Sequence, residues 1–199
     1  FSDDDFRVAQ QSVFASRSPM PLESLAWHFV KPDDGLFHAL MKSVKNSSKN
    51  MKAEKRRELF SLNPGSLRVI HSLSRSYQLG IAENDFSMAR FLLDEAGLLP
   101  HFVLTDHFGR NPFLKPDTRF FTYLLEKADA PPERSVMIGT HLDLDLIPAL
   151  ACKMKTIRLK RGIYTNLEPR HPYEFPHLEI ETIKSLPEAI KTLEMLPES

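Results

Sequence analysis

Lys115-Pro116-Asp117, a helical segment, and then Ser135-Val136-Met137-Ile138-Gly139-Thr140-His141-Leu142-Asp143-Leu144-Asp145 form the stretch whose reading decides the fold. Ser135 to Ile138 has the character of a buried strand. It ends at a glycine, and acidic residues follow at once. In an open α/β sheet, ligands and chemistry gather outside the carboxyl ends of the strands. The stretch therefore marks a sheet edge with a lysine ahead of it and aspartates behind it.

Working outward, a helix is expected over Leu144 to Cys152 and a strand over Thr156 to Leu159. Arg161-Gly162 opens a long loop rich in proline and histidine. It carries Tyr164, Arg170 and His171 and runs through Pro176. Leu178 to Ile180 reads as a short strand, and Leu186 to Leu196 as a closing helix. On the other side, Asp117 starts a helix bearing Phe120, Phe121, Leu124 and Leu125, which Pro131-Pro132 ends. Phe102 to Leu104 and Tyr77 to Ala82 are further strand candidates. Between them, Asn84-Asp85 caps a helix with Met88, Phe91, Leu92 and Leu93, stopped at Gly97. Asn63-Pro64-Gly65 precedes a helix over Ser66 to Leu73. Strands alternating with helices indicate βαβ units, a mostly parallel sheet, and helices on both of its faces.

The first residues have another texture. Ser2 followed by Asp3-Asp4-Asp5, with Phe6, Ala9, Val13 and Phe14 at helical spacing, reads as a capped, acid-rich helix start rather than a metal site. A second helix is expected from Leu22 to Phe29, and a third after Asp33-Asp34-Gly35, with Asn46-Ser47-Ser48 as a loop. Residues 42–57 are the most basic part of the chain. They lack aromatic interleaving, so a solvated helical face is expected rather than a nucleic-acid site. The division is thus a helical unit over 1–62 and an α/β core over 63–199.

Bulk properties exclude several classes. The chain has 199 residues, and its 26 basic and 26 acidic side chains leave no net charge to steer it toward nucleic acid or anionic membrane. A single cysteine, Cys152, rules out an internal disulfide framework, favours a reducing compartment such as the cytoplasm, and reads as a small buried hydrophobe. No apolar run approaches the ~20 residues of a spanning helix, and the N-terminus shows no signal-peptide pattern. The histidines follow no recognised zinc-ligand spacing.

Taken in order, Asn63-Pro64-Gly65, Leu79 to Asn84, Lys115-Pro116, Gly139 to Asp145, Ala149 and Arg161-Gly162 resemble the haloacid dehalogenase-like (HAD) hydrolases. The resemblance covers most of the chain and implies a doubly wound, mostly parallel sheet with a small helical cap. It further implies a carboxylate nucleophile that forms an aspartyl-phosphate, and a magnesium ion near the reacting phosphoryl oxygens. By the same resemblance Lys115 and Asp145 are the catalytic candidates, with Asp145 orienting Lys115 or a metal-bound water. Asn84, Thr140 and His141 are candidates for contact with a small phosphorylated substrate.

Three departures separate this sequence from the family pattern. Thr140 stands where the principal metal-binding aspartate is usual, and a hydroxyl is a poor substitute on a hard cation. Glu83 stands where a serine or threonine binds phosphate, and an ionised carboxylate there repels a dianion. No hydrophobic strand followed by Asp-x-Asp precedes the helical unit. Without that central strand the sheet would have an open ladder. Either a segment of roughly 15–25 residues, enough for a strand and its connection, precedes Phe1, or another element fills the place. We expect the former. The sequence thus supports a small-molecule phosphomonoesterase whose nucleophile lies upstream, a catalytically degenerate HAD-like binding or regulatory protein, or a metal-free 2-haloacid dehalogenase.

Overall fold

The computed structural model describes residues 2–18, 20–49, 55, 62–84, 86–103 and 110–195. They divide into two compact units, Phe1–Ser61 and Leu62–Ser199.

In the first unit, α1 (Asp3–Ala15), α2 (Pro21–Val30) and α3 (Asp34–Lys49) follow one another. Ser2 Oγ accepts the Asp5 N–H at 3.1 Å, and Asp5 Oδ2 accepts the Ser2 N–H at 2.8 Å. This reciprocal pair satisfies two otherwise orphaned donors, and the three aspartates lie where the helix dipole favours negative charge. The acidic run is therefore used as a helix start. Ala9, Leu25, Ala26 and Met41 are buried, and the Trp27 ring meets the edge of Phe37 at 5.5 Å. The loop expected at Asn46-Ser47-Ser48 is instead part of α3. Weak helix formers are tolerated there because the preceding apolar stripe already commits the segment. Lys42, Lys45 and Lys55 are exposed, whereas Lys52, Arg56 and Arg57 lie outside the described residues.

The second unit is built on three parallel strands in the order β1 (Val136–Gly139), β2 (Lys155–Leu159) and β3 (Leu178–Ile180). Gly139 is level with Arg158, and Ile157 with Leu178. Helices α4 (Ser66–Leu73) and α8 (Leu186–Glu194) cover one face. There Val69, Leu73, Ile190 and Leu193 pack on Ile157, Leu159 and Ile180. Helices α6 (Thr118–Ala128) and α7 (Ile147–Ala151) cover the other, with Phe120, Phe121, Leu125 and Ala149 packed around Met137. Side chains alternate across a strand, so Ile157 and Leu159 face the first layer while Thr156 and Arg158 face the second. The doubly wound arrangement follows from that alternation.

Two expected strands are not formed among the described residues. Residues 77–82 are irregular, and so are Phe102 and Val103, while Leu104 lies outside the described residues. A single backbone hydrogen bond, Val103 N–H to the Leu79 carbonyl at 2.9 Å, joins the two segments. One rung does not make a ladder. Tyr77 and Leu79 still pack against the first core layer. A helix α5 (Phe86–Glu95) follows them.

The helix after β1 also begins differently. It opens at Leu142 with a wide π-helical turn, Leu142–Leu146, and narrows to α7 at Ile147. Pro148 has no N–H to donate into the wide turn, so the turn ends there.

Candidate functional site

Lys115 is positioned from its main chain outward. The Asn84 side chain accepts the Lys115 N–H at 2.8 Å through Oδ1 and donates to the Lys115 carbonyl at 3.3 Å through Nδ2. Asn84 was expected as a helix cap or a phosphate contact. Its amide is instead engaged in holding the lysine's backbone. Asp117 caps α6 by accepting the Arg119 N–H at 2.9 Å, which fixes the segment on the lysine's other side.

From this anchorage Lys115 Nζ donates to the Ala82 carbonyl and to Asp145 Oδ1, each at 2.8 Å. The lysine and aspartate side chains are only 7% and 11% exposed. The second Asp145 oxygen, Oδ2, accepts the backbone N–H groups of Thr140 at 3.2 Å and His141 at 3.1 Å. Asp145 comes this close because residue 139 is glycine. A Cβ built there would lie 2.5 Å from Asp145 Cβ and 2.7 Å from Oδ2, well inside contact distance. The wide turn of Leu142–Leu146 brings the aspartate back over the end of β1. The buried charges are thus paired and hydrogen-bonded, the arrangement burial requires of them.

Glu83 lies at the margin of this pair. Its Oε2 is 4.0 Å from Lys115 Nζ, its side chain is 48% exposed, and its Oε1 accepts the Asn84 N–H at 2.8 Å. Lys115 therefore faces two carboxylates. Thr140 contributes its backbone N–H to Asp145, as does His141.

The imidazole of His141 has a separate task. Its Nδ1 accepts the N–H groups of Asp143 at 3.1 Å and Leu144 at 3.3 Å. This is a side-chain cap on the turn. Asp143 supplies a backbone donor to the same cap. The Tyr164 ring lies 4.3 Å from the His141 ring at an interplanar angle of 50°. Burial raises the Tyr164 phenol above its ordinary pKa, and the negative charges of Asp145 and Glu83 add to the shift.

Tyr164 and Arg158 were not assigned to the site from sequence. Arg158 is fully buried at the level of Gly139. It donates to Glu179 Oε1 at 3.0 Å and to the carbonyls of Tyr164, Thr165 and Leu167. Its position in the apolar run Thr156-Ile157-Arg158-Leu159 was the available signal, because a charge in a central strand needs partners.

Magnesium, expected from the resemblance, meets little to hold it among the described residues. Three of the roughly four lone-pair directions of the Asp145 carboxylate are already taken by Lys115 and two N–H groups. Thr140 offers only a hydroxyl, and no cluster of three or more His, Cys, Asp or Glu suited to a metal exists among the described residues. These residues alone do not fit the ion. Two further histidines are engaged elsewhere: His101 Nδ1 with Ser74 Oγ at 3.0 Å, and His177 Nδ1 with the Thr156 N–H at 3.2 Å. His107 lies outside the described residues. Cys152 is half-buried, its thiol directed to the Thr118 carbonyl at 3.5 Å, and burial raises its pKa away from reactivity.

With this geometry in place, similarity to known proteins becomes informative. A family model described as haloacid dehalogenase-like hydrolase matches residues 22–152. A Methanopyrus kandleri protein described as glyceraldehyde 3-phosphate phosphatase is 32% identical over 79 residues, 40% of this chain and 34% of that protein. A Methanocaldococcus jannaschii protein of the same description is 25% identical over 135 residues, 65% of this chain and 57% of that protein. The chain therefore covers less than two thirds of either relative. The crystal structure of the Bacillus subtilis HAD-hydrolase YfnB bound to magnesium superposes with a TM-score of 0.63 at 18% identity, covering 96% of this chain and 84% of that one. That last likeness is one of fold.

Proposed function

The chain belongs to the haloacid dehalogenase-like hydrolases, and from that premise we propose that it is the greater part of a phosphomonoesterase acting on a small phosphorylated molecule. The observation that carries this reading is Lys115 Nζ, fixed between the Ala82 carbonyl and Asp145 Oδ1 at the carboxyl end of β1. A buried ammonium at that edge offsets the charge of a carboxylate nucleophile and of a phosphoryl group brought beside it. Asp145 fixes the ammonium's direction, and Asn84 fixes the backbone from which it projects.

In this reading the nucleophile is a carboxylate on a strand upstream of Phe1, adjoining the edge of β1. Its oxygen forms a bond to phosphorus as the ester oxygen leaves with a proton. Water then cleaves the resulting aspartyl-phosphate and restores the carboxylate. The N-terminal helical unit is the family's cap. Descriptions of the archaeal relatives as glyceraldehyde 3-phosphate phosphatases support a short phosphate ester as substrate. No step is assigned to a metal ion.

The test is phosphate release from a panel of small phosphate esters by the protein with its native upstream sequence, with and without magnesium. Turnover is expected, and Lys115→Met should lower kcat by roughly a hundredfold or more, the scale of one lost electrostatic contact. Absence of turnover on every ester would overturn the reading.

One observation favours a second reading, a catalytically degenerate domain that binds rather than hydrolyses. Glu83 places a carboxylate 4.0 Å from the lysine that would meet phosphate, and Thr140 replaces an acid. Under that reading the double change Glu83→Ser and Thr140→Asp raises affinity for a phosphate analogue such as vanadate. Unchanged affinity would remove its support.

A further inference from the structure

Beyond the end of β3 the chain meets the start of α4, and the two line a cavity of about 680 Å³, a size usual for small-molecule sites. None of its lining residues belongs to the Lys115–Asp145 site. The start of α4 is an end without a cap. Its N-cap residue is Gly65, held at φ 92° with no side chain to accept a hydrogen bond, and no acidic residue occupies the first turn. The Asn63 carbonyl accepts the Ser66 N–H at 3.0 Å, and the Gly65 carbonyl accepts the Val69 N–H at 3.1 Å. Among the described residues nothing accepts the N–H groups of Leu67 and Arg68. Two orphan donors therefore lie at the positive end of the helix dipole.

Positive side chains are gathered at this end, where the dipole alone would repel them. The stem of Lys184 lies over Gly65. A Cβ added to the glycine would come 3.0 Å from Lys184 Cγ and 3.1 Å from Cε, the carbon that bears the ammonium. Arg68 lines the same cavity, and neither cation's side chain has a hydrogen bond or ion pair among the described residues. Ser66 is an independent mark. It is 4% exposed and lines the cavity, and its hydroxyl makes no hydrogen bond among the described residues. The one fully enclosed side-chain nitrogen or oxygen left without a partner among those residues is Arg158 Nε. The Ser66 hydroxyl thus keeps an opening, and that opening is the cavity. A nearly buried hydroxyl without a partner carries a cost that a bound oxygen removes.

We propose that this cavity is a binding site, separate from the reaction centre, for a small amphiphilic oxyanion: a dianionic tetrahedral head on a short apolar body. The head's oxygens accept from the Leu67 and Arg68 N–H groups and from the Ser66 hydroxyl, and its two charges meet Lys184 and Arg68. The body lies against the apolar part of the wall, Leu62, Pro64, Leu67 and Pro187. Two cations, two backbone donors and a hydroxyl match such a head better than they match a planar, singly charged carboxylate. The site stands independently of the phosphomonoesterase reading.

The test is an amide-resolved NMR titration of the full protein, its native upstream sequence included. The probes are hexylphosphonate, which has no ester bond to hydrolyse, inorganic phosphate, heptanoate and hexanol. Hexylphosphonate should shift the Leu67 and Arg68 amides saturably. It should bind at least about tenfold more tightly than inorganic phosphate, because its chain leaves water, and about threefold or more above heptanoate and hexanol. Ser66→Ala should weaken it about fivefold, the size of one hydrogen bond. Arg68→Met and Lys184→Met should each weaken it about threefold or more. Lys184→Met keeps the stem over Gly65 and should not lower the ligand-free Tm, which separates weaker binding from unfolding. Absence of saturable shifts over residues 65–69, or a Kd within about twofold of wild type in all three variants, overturns the site. Inorganic phosphate or heptanoate binding as tightly as hexylphosphonate overturns the proposed ligand class. Shifts confined to the surroundings of Lys115 and Asp145 overturn the second site and leave the phosphatase reading standing.

Discussion

Asp145 reaches Lys115 because Gly139 has no side chain to keep it away. Gly139→Ala should force the aspartate off its three donors, since the added carbon would sit 2.5 Å from Asp145 Cβ. We expect a loss of about 1–3 kcal/mol in denaturant unfolding, the usual range for overpacking. The ion pair itself calls for a double-mutant cycle. Lys115→Met leaves the aspartate as an uncompensated buried charge and should cost about 3–5 kcal/mol. Lys115→Met combined with Asp145→Asn should recover part of that loss, because the amide oxygen still accepts the two backbone N–H groups and no charge is stranded. Additive losses would show that the two side chains do not act as a pair. At this scale the sequence singled out Lys115 and Asp145, but it did not show that the Asn84 amide bonds the Lys115 backbone. An asparagine's hydrogen bonds depend on what lies 31 positions away, and no local pattern reports that.

At the scale of elements, β2 is the member on which the site depends, and it is fixed from both ends. Near its start, His177 Nδ1 accepts the Thr156 N–H at 3.2 Å, and the His177 N–H donates back to Thr156 Oγ1 at 3.2 Å. Burial lowers the His177 pKa below its ordinary 6.5, and the nearby Lys155 charge lowers it further. The unfolded chain therefore binds the proton more tightly than the folded one. The stabilisation is fully present above about pH 6.5 and declines as pH falls from there through the folded-state value. Thermal melts between pH 7.5 and 5 should show a declining Tm with a shallower slope in His177→Gln, and equal slopes would remove the histidine from the account. Towards its end, Arg158→Met should strand the carbonyls of Tyr164, Thr165 and Leu167. A loss of about 3 kcal/mol is expected, with faster amide exchange confined first to residues 162–167. Periodicity in the sequence located β1, β2 and β3. It overextended to residues 77–82, whose strand character needs a neighbour to pair with and not merely apolar residues.

For the whole molecule, the described residues contain no helix long and apolar enough to cross a membrane, and the charge is balanced. The metal question also belongs here, because a magnesium site needs oxygen ligands from several segments at once. With Asp145 already engaged and no group of three or more metal-suited side chains among the described residues, millimolar magnesium should leave the Tm of this 199-residue chain unchanged. A ligand stabilises only by RT ln(1 + [L]/Kd), which vanishes when Kd lies far above its concentration. A clear rise in Tm would show that the residues described here suffice to bind the ion.

The sequence by itself determined the class of fold, since alternation of apolar strands with amphipathic helices leaves few layered solutions. It also determined which lysine and which aspartate to examine, because the motifs that carry Lys115 and Asp145 resemble those of the haloacid dehalogenase-like hydrolases. Only the tertiary structure decided that these two charges meet at 2.8 Å, that Asn84 serves the lysine's backbone, and that Arg158 ties Tyr164 to the same corner. The physical reason is reach. Hydrophobic period is a local property of consecutive residues, whereas each of these contacts joins separate segments whose approach is set by packing across the sheet.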